Sequence, residues 1–499
     1  MKNRSILLLI GSYLLVTTTA RAISPGATGY NVKDYGAKGD GITLDSKAIN
    51  TTIDAAAKAG GGTVFLPAGN YLSGSIHLKS NISLYLDQGA VIIATSSEAN
   101  GEYDPEEETV NTTYQDYGHS HFHNSLIWGE DLHDISILGL GTIWGKGLLR
   151  DSKNDSKLGN KAIALLRCRN VIIRDISILS GGWFGILATG TDNLTINNIK
   201  EDTNRDGMDI DCCKNVRVSD CFVNSPYDDG ICLKSTYALG YARNTENVTI
   251  TNCQVSGYDE GTFLDGTFKR SNSEHSGSHP VGRIKLGTES NGGFKNITIS
   301  NCVFDYCRGL ALETVDGAEL EDVAVTNITM RDVVSDPIFL RLGSRMRGPA
   351  GTPIGQLRRI LISNVVIYNA DPHYVCTISG IPGNDVEDVT LSNIKLYVKG
   401  GLTSNGARAN PPENKEMYPE PGMFGEAPAY GFFIRHAKNI KITAVEINMI
   451  KSDARPVLRA DDVQGLYLRE LNAPGMTIDN KPVFNQVSDL QVADSLINK

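Results

Sequence analysis

The chain has 499 residues, with 51 glycines, 21% charged residues and a formal charge of −10. An acidic balance of this size argues against a nucleic acid or an anionic membrane as a partner. A chain of this length usually folds as two to four domains. Here the many glycines, the low aromatic content of 7% and the numerous short Val/Ile runs favour a single elongated β domain over residues 23–499.

Residues 1–22 have the pattern of a cleaved export signal. Lys2 and Arg4 give a basic start, an apolar run covers residues 6–16, and Ala20-Arg21-Ala22 is a small-x-small cleavage sequence. The run is too short to span a bilayer comfortably, and no later stretch approaches the length of a membrane span. We therefore expect cleavage after Ala22, a secreted or periplasmic location and no membrane partner.

A short repeated motif predicts the fold. It starts with Asn or Asp, continues with alternating aliphatic and variable residues, and ends with a second Asn or Asp before an apolar residue. Copies begin at Asn170, Asn193, Asn215, Asn247, Asn296, Asp322, Arg359, Asp388 and Asn439, with a weaker one at Asp134. The spacings fit a base turn of about 22 residues with insertions, a period too short for a propeller blade. Because each copy alternates as a strand does, the copies are expected to stack in parallel as a β-helix.

Two positions of the motif support this stacking. The second Asn or Asp suits a tight bend, and stacked Asn amides can form a hydrogen-bonded ladder. The apolar residue that follows is Ile or Val in most copies but Cys at Cys221, Cys253 and Cys302. These cysteines are therefore expected to be reduced core residues instead of disulfides. Cys212 and Cys213 lack zinc-type spacing, so no metal is expected there.

The sequence also predicts how the coil begins, where a long loop interrupts it and how it ends. Residues 44–58 have apolar residues at helical spacing and are followed by Gly60-Gly61-Gly62, which predicts a helix that covers the N-terminal end of the stack. Residues 402–430 are rich in Pro, Asn, Gly and Glu and are expected to be a long loop within the solenoid. A short C-terminal tail is expected from about residue 476.

Three acids share one phase of the repeat. Asp206, Asp228 and Glu260 each lie 13 residues after a motif start, and Asp229 is next to Asp228. Equal phase predicts a column of acids about 4.8 Å apart. Since like charges disfavour ionisation of their neighbours, Asp228 in the middle is the expected proton donor. A solvated acidic edge or a calcium site is the alternative interpretation.

Glycoside hydrolysis requires one protonated carboxylic acid for the leaving oxygen and one carboxylate for water. At these residues the chain resembles glycoside hydrolase family 28, the polygalacturonases. Asn204-Arg205-Asp206-Gly207-Met208-Asp209-Ile210-Asp211 is similar to the family's Asn-Thr-Asp-Gly-x-Asp-x-Asp segment. Tyr227-Asp228-Asp229-Gly230-Ile231-Cys232-Leu233-Lys234-Ser235 is similar to its Gly-Asp-Asp-Cys-x-x-x-Lys-Ser segment. The resemblance covers residues 31–400 and implies a right-handed β-helix and an inverting reaction. It makes Asp228 the general acid, while Asp206 and Asp229 activate water.

The chain departs from the family in the following turns. Glu260 stands where the family has the His of Gly-His-Gly. The family's basic Arg-Ile-Lys, which grips the uronate carboxylate, matches Arg283-Ile284-Lys285 by letters. Repeat counting instead favours Arg308–Thr314, with Ala311 and Glu313 at the basic positions and residues 265–282 as an insertion. The candidate substrate-binding residues are therefore Asn204, Glu260, Arg283, Lys285, Arg308, Arg341, Arg345 and Arg347, because arginine forks suit carboxylates.

The expected function is inverting hydrolysis of α-linked galacturonic acid in polygalacturonan, rhamnogalacturonan or their oligomers, by a monomer without an organic cofactor. A β-helix polysaccharide lyase and a non-catalytic carbohydrate-binding solenoid remain as alternatives. His119, His121 and His123 either line the cleft or lie in a loop. Loops 101–128, 265–282 and 402–430 could close one end of the cleft, which favours an exo mode of action.

Overall fold

The computed structural model describes residues 29–97, 102–107, 111–150, 159–271, 280–403 and 410–495. The expected signal segment lies outside these ranges. The described chain is a parallel β-helix in which every named strand pairs in parallel with strands of neighbouring turns. The predicted all-β solenoid is confirmed.

Three sheets run the length of the solenoid. The site sheet, which bears the acids, consists of β5 (Ile76–His77), β8 (Ile127–Glu130), β11 (Lys161–Leu166), β14 (Phe184–Thr189), β17 (Asp206–Asp211), β20 (Ile231–Ser235), β23 (Ile284–Ser290), β25 (Leu310–Thr314), β27 (Ile338–Leu342), β29 (Cys376–Ser379) and the start of β31 (Phe432–Lys451). The repeat sheet consists of β1 (Tyr30–Asn31), β3 (Gly62–Leu66), β6 (Ile82–Leu86), β9 (His133–Gly139), β12 (Arg169–Arg174), β15 (Asp192–Asn197), β18 (Lys214–Ser219), β21 (Thr245–Thr251), β24 (Phe294–Asp305), β26 (Glu319–Arg331), β28 (Gln356–Ala370), β30 (Val386–Gly400), β31, β32 (Leu458–Asn472) and β33 (Val483–Ala493). The third sheet consists of β2 (Asp40–Leu44), β4 (Gly69–Ser73), β7 (Ala90–Ala94), β10 (Thr142–Trp144), β13 (Ser177–Leu179), β16 (Lys200–Asp202), β19 (Phe222–Asn224), β22 (Gln254–Ser256) and the later halves of the long strands from β24 onward.

The repeated Asn and Asp residues form the corners on either side of the repeat sheet. Asn170, Asn193, Asn215 and Asn247 all adopt a positive φ, between 52° and 59°, which Asn tolerates better than most residues. Their amides form a ladder in which each Nδ2 donates to the Oδ1 of the Asn one turn earlier at 2.9–3.1 Å. The ladder predicted at the second Asn or Asp is also present, since Asn198, Asn252 and Asn327 each donate to the residue at that position one turn earlier at 2.8–3.2 Å. The ladder fixes one register for all turns, because a slipped strand would lose these bonds.

The inward-facing side chains form one continuous apolar core along the solenoid. Cys221, Cys253 and Cys302 lie in this core at 0–1% exposure, in the row otherwise occupied by Ile and Val. All nine cysteines are buried and unbridged. The predicted packing role of these three cysteines is confirmed.

The N-terminal end is covered by helix α1 (Ser46–Lys58). It buries Ile49, Ile53 and Ala56 and lies against β1, β3, β5 and β6. It ends where Gly60, Gly61 and Gly62 take positive φ angles that other residues rarely adopt. The predicted capping helix is therefore confirmed to within two residues.

The C-terminal segment differs from the expected tail. Strand β33 pairs with β32 over residues 483–493, so the coil continues well beyond residue 476. The interruption at residues 473–482, with the 3-10 helix Ile478–Asn480, separates the two strands and resembles the start of a tail in sequence. Other short 3-10 helices in the described part of the chain are Val32–Tyr35, Tyr117–His119 and Pro421–Phe424.

Among the described residues, no helix is long and apolar enough to cross a membrane.

Candidate active site

The two acid motifs meet on the site sheet. Asp206 begins β17, and Asp228 and Asp229 lie in the corner that leads into β20. One carboxylate oxygen of each of these three residues lies within 4.8 Å of the other two. The Asp228 side chain is 32% exposed, against 5% for Asp206 and 2% for Asp229. The predicted catalytic acids therefore form one cluster, and Asp228 is the member most accessible from outside.

The register of the cluster differs from the predicted column. The N–H of Gly207 donates to the carbonyl of Asp229 at 3.0 Å, so Asp229, and not Asp228, stacks beside Asp206. The reason is one extra residue in a corner: residues 203–205 separate β16 from Asp206, whereas residues 225–228 separate β19 from Asp229. Equal spacing from the motif start therefore did not give an equal position.

Glu260 is not part of the acid stack, and its prediction as the third acid of the column was wrong. It lies in the inserted segment between β22 and β23, where its Oε1 accepts a hydrogen bond from the Ser180 hydroxyl at 2.6 Å. The next turn of the site sheet starts instead with Gly282, whose N–H donates to the Asp228 carbonyl at 2.9 Å. The predicted insertion is confirmed, because β23 stacks on β20 and β25 stacks on β23.

Asp229 is held as a carboxylate by two cations of that next turn. Arg283 Nε donates to Asp229 Oδ1 at 2.7 Å, and Lys285 Nζ lies 3.3 Å from Oδ2. Burial alone would raise the pKa of Asp229, but Arg283, Lys285 and Lys234 outweigh it and hold the pKa well below its usual range. These two predicted substrate-binding residues are thus at the site, where they bind a protein carboxylate.

Asp206 has the opposite electrostatic environment. Burial, followed by the neighbouring charges of Asp228 and Asp209, raises the pKa of Asp206 well above its usual value, although Lys234 and Arg205 act against the shift. The sequence predicted that like charges would favour a proton on Asp228, but in the structure burial and like charges together favour a proton on Asp206. In the free site the buried Asp206 is the member of the cluster that favours a proton.

Arg205 is a site residue that the sequence analysis did not single out. Its guanidinium lies over the Trp183 ring at 4.4 Å, with Nε 3.3 Å from Asp228 Oδ2 and 3.8 Å from Asp206 Oδ2. The signal was present in the sequence, since an arginine replaces the threonine of the family motif. The adjacent Asn204, a predicted binding residue, has a buried Oδ1 with no hydrogen-bond partner among the described residues.

The predicted cluster of Arg341, Arg345 and Arg347 divides into two groups. Arg345 is paired with Asp316 at 2.5 Å and Glu289 at 3.4 Å, and Arg347 lies 3.8 Å from Glu289. Glu289 in turn binds Lys234 of the acid cluster's own turn at 3.1 Å. These two arginines are therefore linked to the acids through one carboxylate.

Arg341 lies away from the acids. It is 1% exposed, and its guanidinium donates to the Ser379 hydroxyl and to the carbonyls of Gly380 and Glu413 at 2.8–3.0 Å. Its contacts fix the loop over residues 410–425 to the site sheet. The cluster was predicted as one candidate source of the group that binds the uronate carboxylate, and within it Arg345 and Arg347, but not Arg341, are linked to the acids.

The segment 410–425, here called the C-terminal insert, covers the site sheet on the later turns. Glu420 binds Arg283 at 2.6 Å and Arg308 at 2.8 Å, and the Tyr418 hydroxyl accepts a hydrogen bond from Lys285 at 3.2 Å. Its Met423 and Phe424 pack on outward-facing apolar residues of β25 and β27. The predicted long loop is thus a folded part of the site, and it brings Arg308 to its edge.

The segment 102–123, here called the N-terminal insert, covers the same sheet on the earlier turns. Its described parts pack through Phe122 and Tyr117 against Trp183, Phe184 and Leu187. Arg347 donates to the carbonyl of Tyr114 at 3.1 Å, so the insert also reaches the later turns. The acids therefore lie between two inserts on one face of the solenoid.

The three alternating histidines belong to the N-terminal insert. His119 Nε2 lies 2.9 Å from Asp209 Oδ2, and both side chains are buried. His121 lies near Glu106, and His123 near Glu130. Of the two open interpretations, the first therefore fits His119, which contacts Asp209 on the same strand as Asp206.

The acid cluster is also the arrangement, within the described residues, that could bring three carboxylates to one metal ion. All three already have cationic partners, since Asp229 binds Arg283 and Lys285, and Arg205 lies near both Asp228 and Asp206. A calcium ion prefers six to eight oxygen ligands. The donor set therefore fits acid–base chemistry better than metal binding.

Comparisons with known proteins agree with this geometry. Residues 29–128 match a family model described as rhamnogalacturonase A/epimerase, pectate lyase-like, and residues 145–269 match the right-handed beta helix region. A probable polygalacturonase of Vitis vinifera is 27% identical over 394 residues, which is 70% of this chain and 76% of the relative. A hyperthermoactive exopolygalacturonase from Thermotoga maritima has a similar fold, with a TM-score of 0.61 and 20% identity over 83% of this chain and 92% of that one. A mannuronan C5-epimerase of Azotobacter vinelandii is 51% identical over 63 residues, which is 11% of this chain and 6% of the relative.

The chain is thus a right-handed parallel β-helix protein whose N-terminal residues 29–128 match a pectate lyase-like family model. Within that class its resemblance is to the polygalacturonases of glycoside hydrolase family 28, as the two acid motifs predicted.

Proposed function

We propose that the protein is a glycoside hydrolase that removes galacturonic acid units from the end of a pectin chain with inversion at the anomeric carbon. The observation that carries the proposal is the cluster of three carboxylates with unequal environments. Asp228 is accessible, Asp229 is fixed as a carboxylate by Arg283 and Lys285, and Asp206 favours a proton.

In the proposed reaction Asp228 donates a proton to the glycosidic oxygen, and Asp206 and Asp229 orient and deprotonate a water molecule once Asp206 has given up its own proton. The stacking of Asp206 on Asp229 supports this division, because neighbouring carboxylates on one sheet can both accept from the same water. The more exposed Asp228 is the acid that a glycosidic oxygen can reach from the cleft.

The ion pairs of Asp229 bear on the stereochemical course of the reaction. Carboxylates about 5 Å apart are typical of retaining enzymes, in which one of them attacks the sugar directly. Here Asp229, which its cationic neighbours hold as a carboxylate, already shares its charge with Arg283 and Lys285 at 2.7 and 3.3 Å. A carboxylate held in this way is a weak nucleophile but can still accept a hydrogen bond from water, which favours the inverting course.

The exo mode of action is supported by the two inserts. The N-terminal insert covers the site sheet before the acid turns, and the C-terminal insert covers it after them. A long polymer lying along the solenoid axis would collide with both. A chain end that enters between them would place its first glycosidic bond at Asp228.

The two alternative functions are less well supported. A lyase needs an unpaired arginine or lysine to accept a proton beside the uronate, whereas Arg283 and Lys285 are 2% and 0% exposed and ion-paired. A non-catalytic binding solenoid does not need a buried acid with a raised pKa next to an ionised one.

The test is product analysis after incubation with polygalacturonic acid, rhamnogalacturonan and short galacturonides. Monomer or a single short product from the start of the reaction is expected, and a ladder of oligomers would contradict the exo mode. Proton NMR of the first product should show the β anomer from the α-linked substrate. The Asp228→Asn variant should be inactive, while Asp322→Asn, a matched change at an exposed corner paired with Arg359, should remain active.

We further propose that residues 1–22 are removed on export. The basic start, short apolar run and Ala20-Arg21-Ala22 support this proposal. N-terminal sequencing of the protein recovered from its native host should begin at residue 23. Recovery of the full chain in the cytoplasm would contradict it.

A further inference from the structure

Arg205 occupies a position that connects the acids to the open cleft. Its side chain is 24% exposed, whereas Arg283 and Lys285 are 2% and 0% exposed. Within the described residues, its hydrogen bonds use Nε, to Asp228, and Nη1, to the carbonyl of Arg150. Its Nη2 therefore has no hydrogen-bond partner among the described residues, while the face of the guanidinium lies over Trp183.

The other cations near the acids are already engaged by protein carboxylates. Arg283 is bound by Asp229 and Glu420, Lys285 by Asp229 and Glu313, and Arg308 by Glu420. Each of these residues would have to give up a buried or enclosed partner before it could bind a substrate carboxylate. Arg205 has its shortest carboxylate contact with Asp228, a partly exposed side chain at 3.3 Å, and only a longer one with Asp206 at 3.8 Å.

We propose that Arg205 binds the carboxylate of the sugar to be cleaved, and that this contact makes Asp228 the general acid. The idea rests on the proposed galacturonide hydrolysis. In the free protein Arg205 binds Asp228. When a uronate carboxylate accepts the guanidinium N–H groups, Asp228 loses its counter-ion, and a proton passes to it from the neighbouring Asp206 carboxyl group.

The step is balanced within the cluster. One O–H bond of Asp206 breaks and one O–H bond of Asp228 forms, so the charge of the cluster does not change. The charged groups that face these two carboxylates are Arg205, Asp229, Asp209 and Lys234. After the transfer, Asp206 is an ionised base next to Asp229, and Asp228 is the acid at the mouth of the site, which are the roles that hydrolysis needs.

Burial and the charges of Asp228 and Asp209 raise the pKa of Asp206, which agrees with a proton resting there before substrate binds. The geometry is the stronger support, because one arginine touches both acids and the cleft at once. A neutral substrate could not compete for the guanidinium and would leave Asp228 paired.

The experiment compares a digalacturonate with its methyl ester, using wild type, Arg205→Gln and Arg205→Lys. On the acid, Arg205→Gln should lower kcat/KM by about 10- to 150-fold, the range expected for a lost charged fork, and Arg205→Lys should recover part of it. On the methyl ester, Arg205→Gln should have a higher kcat than wild type, because Asp228 no longer has a competing cation. A purely structural role for Arg205 would lower both activities together.

Arg359→Gln is the matched control, since Arg359 is a surface arginine paired with Asp322 at 2.7 Å far along the solenoid. Equal losses on both substrates by Arg205→Gln, in a protein that melts like wild type, would overturn the role of Arg205 and leave the hydrolase proposal intact. Absence of hydrolysis of any galacturonide by wild type would instead overturn the proposed function itself.

Discussion

Glu201 is a carboxylic acid in the apolar core, directly below the candidate site. It lies on β16 between Ile178 and Val223 of the adjacent turns, and both of its oxygens are buried without a hydrogen-bond partner in the described part of the chain. Gly185 leaves the space for it, because a Cβ there would lie 1.6 Å from Glu201 Oε1. Burial, then the charges of Asp209 and Asp202, raises the pKa of Glu201 well above 4.5. The informative change is Glu201→Gln, which keeps the shape and removes the titration.

The sign and size of the effect follow from proton linkage. Above about pH 4.5 the unfolded chain releases the Glu201 proton while the folded protein keeps it, so the folded state binds more protons. The free energy of unfolding of wild type should therefore fall by about 1.4 kcal/mol for each pH unit over which the folded state keeps this proton. The Gln variant lacks this loss, so its stability relative to wild type should rise with pH, by about 2.8 kcal/mol over two such units.

The assay is urea unfolding of both proteins at pH 4.5, 5.5 and 6.5. The titration of all other groups contributes equally to both free energies of unfolding and cancels in their difference. Near pH 4.5 the two should be similar, since a neutral Glu and a Gln both bury an unpaired polar group. Glu470→Gln, a change at a surface glutamate that is 46% exposed, should show no such trend and is the control. Parallel stability curves for wild type and Glu201→Gln across this pH range would refute the argument for a neutral buried acid.

Two further predictions concern the site and the core. Replacing Asp228 by Asn should lower the rate of galacturonide hydrolysis at least about 100-fold without loss of fold, as measured by product release and circular dichroism; near-normal activity would remove its assignment as acid. The nine cysteines should all react with an alkylating reagent in the denatured, unreduced protein, as measured by intact mass; any bridge among Cys221, Cys253 and Cys302 would contradict their packing as core residues.

The architecture was predictable because every turn of the coil requires the same local pattern of residues. Each turn needs an Asn or Asp where the backbone takes a positive φ, and aliphatic residues where the strand faces inward. These requirements recur in the same order on every turn, so the motif starting at Asn170 already predicts the ladder and the core of its neighbours. The capping helix was also predictable, from apolar residues at helical spacing followed by three glycines.

The arrangement of charges was only partly predictable, for two physical reasons. A corner can gain one residue without disturbing the strands on either side, and such a residue moved Asp229 into the position expected for Asp228. The inserts also cover the site from more than a hundred residues away, as Glu420 does when it binds Arg283. Repeat phase contains no information about contacts of this kind, so the partners of each arginine could not be read from it.

The position of the basic pair explains why the substrate reader must be found elsewhere. Repeat counting put the family's basic turn at β25, where the outward positions are Ala311 and Glu313, while Arg283 and Lys285 lie one turn earlier, beside the acids. Arg283 and Lys285 are therefore ion-paired with Asp229. Burial raises the pKa of the neighbouring Glu313 to about 7, although both cations act to lower it. The buried cations therefore set the charge of the catalytic acids. Under the proposed function, the binding of an anionic sugar would then depend on a cation that can exchange partners at the surface of the cluster, and among the arginines and lysines that contact the acids Arg205 is the most exposed.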